Sequence, residues 1–144
     1  MPEHVLVPMD YGDLSTKALR RALADYPDAE ITVLHVIDYR STDLGPGGFG
    51  ESREGLADWL ADAREHAADL LEEAEEIAAV EGRSIETDII VGEVAANILA
   101  YVGDHDADIV VMGSHGRSLP ARVLLGSVSE TVVRRAPVPV LLVR

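Results

Sequence analysis

The stretch that decides the fold is "VVMGSHGRSLPARVLLGSVSE", which runs from Val110 to Glu130. It begins with an apolar, strand-like run and ends in a helix-like run, and it contains Gly113, Gly116 and Gly126. Glycine at this density indicates either tight turns or a close approach of the backbone to a ligand. The stretch is therefore either a plain turn between a strand and a helix or a cradle for a phosphate group.

Apolar runs and helical periodicities alternate along the chain on both sides of this stretch. Strands are predicted at residues 4–9, 30–37, 84–91, 107–112 and 138–143, with helices between them, the longest over about 54–81 and the last over about 127–135. Asp13 or Ser15 is the expected cap of the first helix. Gly82 is the expected end of the longest helix, and Ala63 belongs to its apolar stripe. This alternation predicts an α/β fold: an open, parallel five-stranded sheet with helices on both faces. Ligands of such sheets bind beyond the carboxyl ends of the strands, so the loops after the strands are the places to search.

The composition excludes several classes of protein. Of the 144 residues, 47% are hydrophobic, which is enough for a packed core and too many for a disordered chain. There is no cysteine, so disulfides and thiolate metal sites are excluded. No signal peptide or membrane span is visible, and a soluble, cytoplasmic protein is expected.

The charge balance is strongly acidic. Asp and Glu number 26 against 12 Lys and Arg, which gives a net charge of −14. Such a charge repels nucleic acids and anionic membranes, so neither is an expected partner. Two interpretations stay open: an acidic surface kept for solubility, or a halophile-like adaptation to a salt-rich cytoplasm in which carboxylate repulsion is screened. The second is favoured.

A second glycine-rich segment competes for the role of phosphate loop. Residues 45–50, GPGGFG, formally match G-x-G-x-x-G. That motif needs a strand that leads directly into a helix N-terminus, whereas here several residues separate the glycines from the second strand. A surface loop over residues 39–55 is the favoured interpretation. No G-x-x-x-x-G-K-[ST] sequence occurs, so a P-loop is excluded.

The first stretch fits a phosphate site better. Gly113 follows the apolar fourth strand, and Gly126 opens the next helix, whose N-terminal amides form a potential anion site. His115 and Arg117 add donors in an otherwise acidic protein. The alternative is structural: Ser127 to Glu130 reads as a capping box, S-x-x-E, so the serine would cap the helix and the glycines would turn the chain. From the residues alone, both interpretations stand.

The spacing Gly113-x2-Gly116-x9-Gly126-Ser127 resembles the G-2x-G-9x-G-[ST] signature of nucleotide-binding universal stress proteins. The segments VLVPMDYGDLSTKAL, VLHVID, ADIVVMGSHGRS and LLGSVSETVVRRAPVPVLLVR are similar to that family in order and spacing. The likeness covers essentially the whole chain, so residues 1–144 are interpreted as one universal stress protein domain.

The resemblance implies a strand order of 3-2-1-4-5, in an adenine nucleotide alpha hydrolase-like fold. It implies ATP or another adenine nucleotide as ligand, accompanied by Mg²⁺ or Mn²⁺, and a homodimer through the last strand, residues 138–143. It places Asp10 on the ribose, and the last helix's N-terminus on the phosphates. The nucleotide-binding residues it implies are Pro8, Asp10, Tyr11, Val36, Met112, Gly113, His115, Gly116, Arg117, Gly126, Ser127 and Val128.

The chain departs from the family pattern at two places. Glu93-Val94 follows the third strand's glycine where Asp-Pro is frequent, which changes only a helix cap. Pro120 lies where a glycine is frequent; it stiffens the loop and donates no amide, which bears on the phosphate geometry.

No arrangement of residues indicates catalysis. His35, inside the second strand, is interpreted as a hydrogen-bonded core histidine, and Trp59 as packed under the long loop or against a helix. The leading hypothesis is an ATP-binding universal stress protein that acts as a nucleotide-loaded dimer in stress signalling or protection. A slow ATP hydrolase on the same fold and a scaffold dimer that binds no nucleotide remain as alternatives.

Overall fold

The computed structural model describes residues 2–38, 53–115 and 125–144, without the side chains of residues 53 and 54. The predicted loop over residues 39–55, with its GPGGFG segment, therefore lies almost wholly outside the described residues, as does Pro120. Along the chain the elements are β1 (His4–Pro8), α1 (Asp13–Asp25), β2 (Glu30–Ile37), α2 (Arg53–Val80), β3 (Glu86–Val91), α3 (Val94–Asp104), β4 (Ile109–Gly113), α4 (Ser127–Arg135) and β5 (Val140–Val143).

The strands form one parallel sheet of order β3-β2-β1-β4-β5, which confirms the predicted fold class and strand order. The central strand β1 pairs with β2 on one side, Val5 opposite Ile31, and with β4 on the other, Val5 opposite Ile109. Val5, Leu6 and Val7 are fully buried. A short run that is apolar on both faces is what a strand covered by helices on both sides requires.

Alternate residues of each strand point to opposite faces, so the sheet has two cores. On one face Val33 of β2 packs with α1 and α2 residues such as Leu19 and Ala74. On the other face Leu34 and Val36 pack with α3 and α4 residues, among them Ile98 and Val132.

The helix ends differ in part from the predicted caps. α2 ends at Val80, and Gly82 follows with a φ of +70°, a conformation that suits glycine. The Arg83 amide donates to the Ala78 carbonyl, as expected for a helix that ends at a glycine. Glu93 caps α3 and accepts from the amides of Ala95 and Ala96.

The prediction that Asp13 or Ser15 caps α1 is wrong. Gly12 is the N-cap and no side chain caps the helix. The Ser15 hydroxyl is bonded elsewhere, to Asp10.

The connection after β1 leads to β2 on one side of the sheet, and the connection after β4 leads to β5 on the other side. Because these two connections diverge, a cleft lies between them at the carboxyl ends of β1 and β4. Over the three described ranges, no helix is both long enough and apolar enough to cross a membrane.

Candidate functional site

A cleft of about 910 Å³ lies at the carboxyl ends of β1, β2 and β4, bounded by the N-terminus of α4 and by the first half of α2. All the predicted site residues that the structure describes line it: Pro8, Asp10, Tyr11, Val36, Met112, Gly113, His115, Gly126, Ser127 and Val128. The other two, Gly116 and Arg117, lie outside the described residues. Residues from four separate parts of the sequence thus meet at one edge of the sheet.

Asp10 is held in place by its own loop. Its Oδ1 accepts a hydrogen bond from the Gly12 amide (2.8 Å) and one from the Ser15 hydroxyl (2.8 Å), while its own amide donates to Ser15 Oγ (2.8 Å). This reciprocal pair explains why Ser15 is not the cap of α1. The carboxylate is fixed at the end of β1 through one oxygen, and among the described residues none donates to Oδ2.

The first turn of α4 faces the cleft. Gly126 is its N-cap and no side chain caps it, so the predicted capping box at Ser127 is wrong. Ser127 is the first helical residue and is exposed, and it lines the cleft. Within the described part of the chain, the amides of Ser127, Val128 and Ser129 have no acceptor outside the helix. These free N–H groups at the positive end of a helix form a surface suited to an anion.

Gly113 is required by packing. A Cβ at this position would lie 2.7 Å from Leu14 Cβ and 3.3 Å from Leu14's carbonyl carbon, so α1 approaches β4 where only glycine fits. The Gly113 carbonyl accepts a hydrogen bond from the buried Ser129 hydroxyl (2.8 Å), which ties the end of β4 to α4. Packing alone therefore accounts for the glycine at this position.

His35 is a buried, hydrogen-bonded histidine, as predicted, and it also lines the cleft, which the sequence did not indicate. Its side chain is 6% exposed, and Nδ1 is 2.8 Å from the Met9 carbonyl. The Tyr11 ring meets it edge-on at 5.2 Å. Burial lowers the pKa of the imidazole below its ordinary value, against the opposing effects of the Met9 hydrogen bond and the Asp10 charge. The ring is therefore neutral at pH 7, with the proton on Nδ1, because a carbonyl only accepts.

Four residues of α2 line the cleft, and the sequence analysis did not predict them as site residues. Trp59, Asp62, Ala63 and His66 all line the cleft, at the i, i+3, i+4 and i+7 spacing of one helix face. Ala63 was assigned to the apolar stripe of this helix, but it is only half-buried and lines the cleft. Trp59, Asp62 and His66 are not part of that predicted stripe, and their shared helix face was the available signal.

The cleft is lined by several acidic and histidine side chains. Over the described ranges no group of three or more His, Asp or Glu side chains has a metal-binding arrangement. The described lining includes Asp10, Asp38 and Asp62 but neither lysine nor arginine. Among the described residues, a phosphate bound here would meet backbone amides and serine hydroxyls rather than a lysine or arginine side chain.

Comparison with known proteins agrees with this geometry. The family described as the universal stress protein family matches residues 1–144. Universal stress protein MJ0577 of Methanocaldococcus jannaschii is 31% identical, and the match covers 100% of this chain and 96% of that protein. Universal stress protein YxiE of Bacillus subtilis is 35% identical, with 97% of each chain covered.

Solved structures agree as well. The structure of MJ0577 superposes with a TM-score of 0.83 at 29% identity, over 98% of this chain and 94% of that one. A universal stress protein in complex with cAMP superposes with a TM-score of 0.71 at 27% identity, over 99% and 97% of the two chains. The full-length family match and the curated relatives show that this chain belongs to the universal stress protein family.

Proposed function

We propose that this protein binds an adenine nucleotide, with ATP as the expected ligand, in the cleft at the carboxyl edge of its sheet. The observation that carries the proposal is the uncapped N-terminus of α4, which presents free amides and the exposed Ser127 beside the fixed carboxylate of Asp10. A relative of 27% identity and the same fold was solved with cAMP, which supports an adenine nucleotide as the ligand class.

Each end of the nucleotide has a matching surface. Val36 and Met112 are buried apolar residues at the ends of β2 and β4, and they suit the flat face of a base. Asp10 suits a ribose hydroxyl, because an ionised carboxylate only accepts hydrogen bonds and a hydroxyl donates one. The α4 amides, Ser127 and Val128 suit the phosphates, and His115, Gly116 and Arg117 belong to the same proposed site.

The charges near the cleft favour a metal–nucleotide complex. Asp10, Asp38 and Asp62 line it, so a free polyphosphate would enter an acidic surrounding. We propose that Mg²⁺ or Mn²⁺ enters with the phosphates and neutralises part of their charge, held by phosphate oxygens and water. This complex would be bound in a salt-rich cytoplasm, where the protein's own negative charge is screened.

The test is a substitution at the first residue of α4. Ser127→Asp places a carboxylate where the phosphates would lie, so ATP–Mg²⁺ affinity by calorimetry is expected to fall by at least about tenfold. An acidic residue in the first turn of a helix is favourable, by about 0.3–1 kcal/mol, so the melting temperature should not fall. Ser127→Ala, which removes only the hydroxyl, should lose much less affinity.

Two results would contradict the proposal. One is unchanged ATP affinity in Ser127→Asp, and the other is wild-type protein that binds no adenine nucleotide at millimolar concentration. Titration with ATP, AMP and cAMP, with GTP as the control, would rank the ligands. Mass spectrometry of nucleotide released from purified protein would show which one it carries.

We further propose a homodimer through β5. This strand pairs only with β4 in the described sheet, and its residues Val140–Val143 are half-buried and apolar. An open apolar edge invites pairing, and antiparallel contact with the same strand of a second copy would cover it by two-fold symmetry. Sedimentation velocity should give a dimer at micromolar protein. A monomer over that range would exclude this interface, and with it the proposed role as a nucleotide-loaded dimer in stress signalling.

A further inference from the structure

The cleft straddles the edge of the sheet and has two lobes. The α4-side lobe is formed by Val36, Met112, Ser127 and Val128, and its strand residues belong to the α3/α4 core. The α2-side lobe is formed by Tyr11, His35, Trp59, Asp62 and His66. Because Val36 and His35 are consecutive residues of β2, their side chains lie on opposite faces of the sheet. The proposed nucleotide site uses the first lobe, and Tyr11 is the one residue of the second lobe that it shares; His35, Trp59, Asp62 and His66 have no part in it.

His35 presents a hydrogen-bond acceptor to the α2-side lobe. Nδ1–H donates to the Met9 carbonyl, so Nε2 carries the lone pair. Among the described residues no hydrogen-bond partner meets Nε2. Every fully buried side-chain nitrogen or oxygen in the described residues has a hydrogen-bond partner. Nε2 has none, so it is not fully buried, and it faces the cleft that His35 lines. The residue as a whole is only 6% exposed. A buried polar atom with one free position is where a ligand donor gains most.

The Asp62 carboxylate is a second hydrogen-bond acceptor of this lobe. His66 Nδ1 is 2.9 Å from the Asp62 carbonyl and donates to it. The Asp62 carboxylate, 3.6 Å from that ring nitrogen, adds a negative charge at the rim, and its side chain is 68% exposed. Trp59 and Tyr11 add flat aromatic surface. Acceptors, one carboxylate and aromatic faces together fit a planar cation that donates several hydrogen bonds.

We propose that the α2-side lobe is a second binding site, separate from the nucleotide subsite, for a small organic cation of the guanidinium class. A guanidinium group is planar, always charged and weakly hydrated, carries five N–H donors and stacks on aromatic rings. His35 Nε2 accepts from it at the floor of the lobe, Asp62 pairs with it at the rim, and Trp59 supplies the stacking surface. The proposal does not depend on nucleotide binding in the other lobe.

Trp59 is the single tryptophan of the chain, so its fluorescence reports directly on this lobe. The probe is agmatine, titrated at fixed KCl, with succinate as the anionic control. Agmatine is expected to change the Trp59 emission saturably, and succinate is not. The agmatine titration is repeated with saturating ATP–Mg²⁺, and separate lobes predict an unchanged midpoint.

A matched pair of variants tests the role of Asp62. Asp62→Asn and Asp69→Asn each remove one exposed carboxylate from the same helix, but only Asp62 lines the lobe. The agmatine midpoint should rise by about tenfold or more in Asp62→Asn and stay within about twofold of wild type in Asp69→Asn. His35→Phe should weaken agmatine similarly, but it also leaves the Met9 carbonyl unpaired, so Asp62→Asn is the decisive variant.

Three outcomes would overturn the proposal. The first is no saturable change in emission up to tens of millimolar agmatine. The second is equal weakening by Asp62→Asn and Asp69→Asn, which would mean general attraction to an acidic helix. The third is displacement of agmatine by ATP, which would mean that both lobes belong to one nucleotide site. Calorimetric ATP binding is measured independently, so failure here is distinguishable from failure of the nucleotide proposal.

Discussion

The two lobes of the cleft are built from different kinds of groups. The α4-side lobe is formed largely by backbone: the ends of β1 and β4, Gly113, Gly126 and the amides of the first turn of α4. The α2-side lobe is formed by side chains that reach inward from β2 and α2, His35, Trp59 and Asp62 among them. A backbone site depends on glycine spacing and helix position, which a sequence displays openly. A side-chain site depends on which residues of distant elements come to face one another.

The substitution expected to disturb the α4-side lobe most is at Gly113, where an added Cβ would have close neighbours. Gly113→Val places new carbon atoms against Leu14 of α1, whose Cβ would be 2.7 Å from even the first added atom. Overpacking of this kind is expected to lower the free energy of unfolding by about 3 kcal/mol, measured by urea denaturation. The proposed ATP affinity should fall with it, because the end of β4, which lines the cleft, must move away from α1.

The matched control is another glycine of the same chain with open surroundings. Gly103 lies near the end of α3, and a Cβ there would meet no atom within 4 Å. Gly103→Ala should therefore raise the free energy of unfolding, by about 0.5–1 kcal/mol, through helix propensity alone. If Gly113→Val unfolds no more easily than wild type, the close approach of α1 and β4 is wrong.

A smaller effect is expected on the pH dependence of the free energy of unfolding, and it tests the burial of His35 in the α2-side lobe. Burial lowers the pKa of His35, so in acid the unfolded chain takes up a proton near pH 6.5 while the folded chain resists it. The unfolded state then binds more protons. Stability is expected to fall as the pH drops below 6.5 and to level off only below the folded-state pKa.

The measurement is urea denaturation at a series of pH values between 7.5 and about 5, where His35 has its expected effect. His35→Phe cannot titrate, so its stability should depend less steeply on pH than that of the wild type, whatever its absolute value. Equal slopes for the two proteins would mean that His35 is accessible to protons and does not occupy a buried, neutral position.

Much of the fold was predictable because its signals are local. The β2 and α4 boundaries match the predicted ranges 30–37 and 127–135, and the other strand ends differ by one or two residues. The caps were less predictable: Ser15 and Ser127 both looked like cap residues, yet Gly12 and Gly126 hold those positions. Ser15 bonds to Asp10 instead, a competition that becomes visible only when the loop conformation is known.

The candidate site was likewise predictable only in part from the sequence. Asp10, Gly126 and their neighbours were identified from motif spacing and a family resemblance, and the structure brings the described ones together in one cleft. Trp59, Asp62 and His66 were not identified. The sequence predicted only the apolar stripe of their helix, and which other face of α2 lines the cleft depends on how the helix packs beside β2.

The sequence by itself determined the parallel α/β sheet, the positions of its loops and the glycine spacing at the end of β4, because periodicity and steric demand act within a few residues. Only the tertiary structure decided that α1 presses against Gly113, that Ser129 rather than Ser127 ties α4 to β4, and that His35 is both a core residue and a cleft residue. Each of these depends on atoms far apart in the chain, whose distances are set by the packing of the helices on the two faces of the sheet.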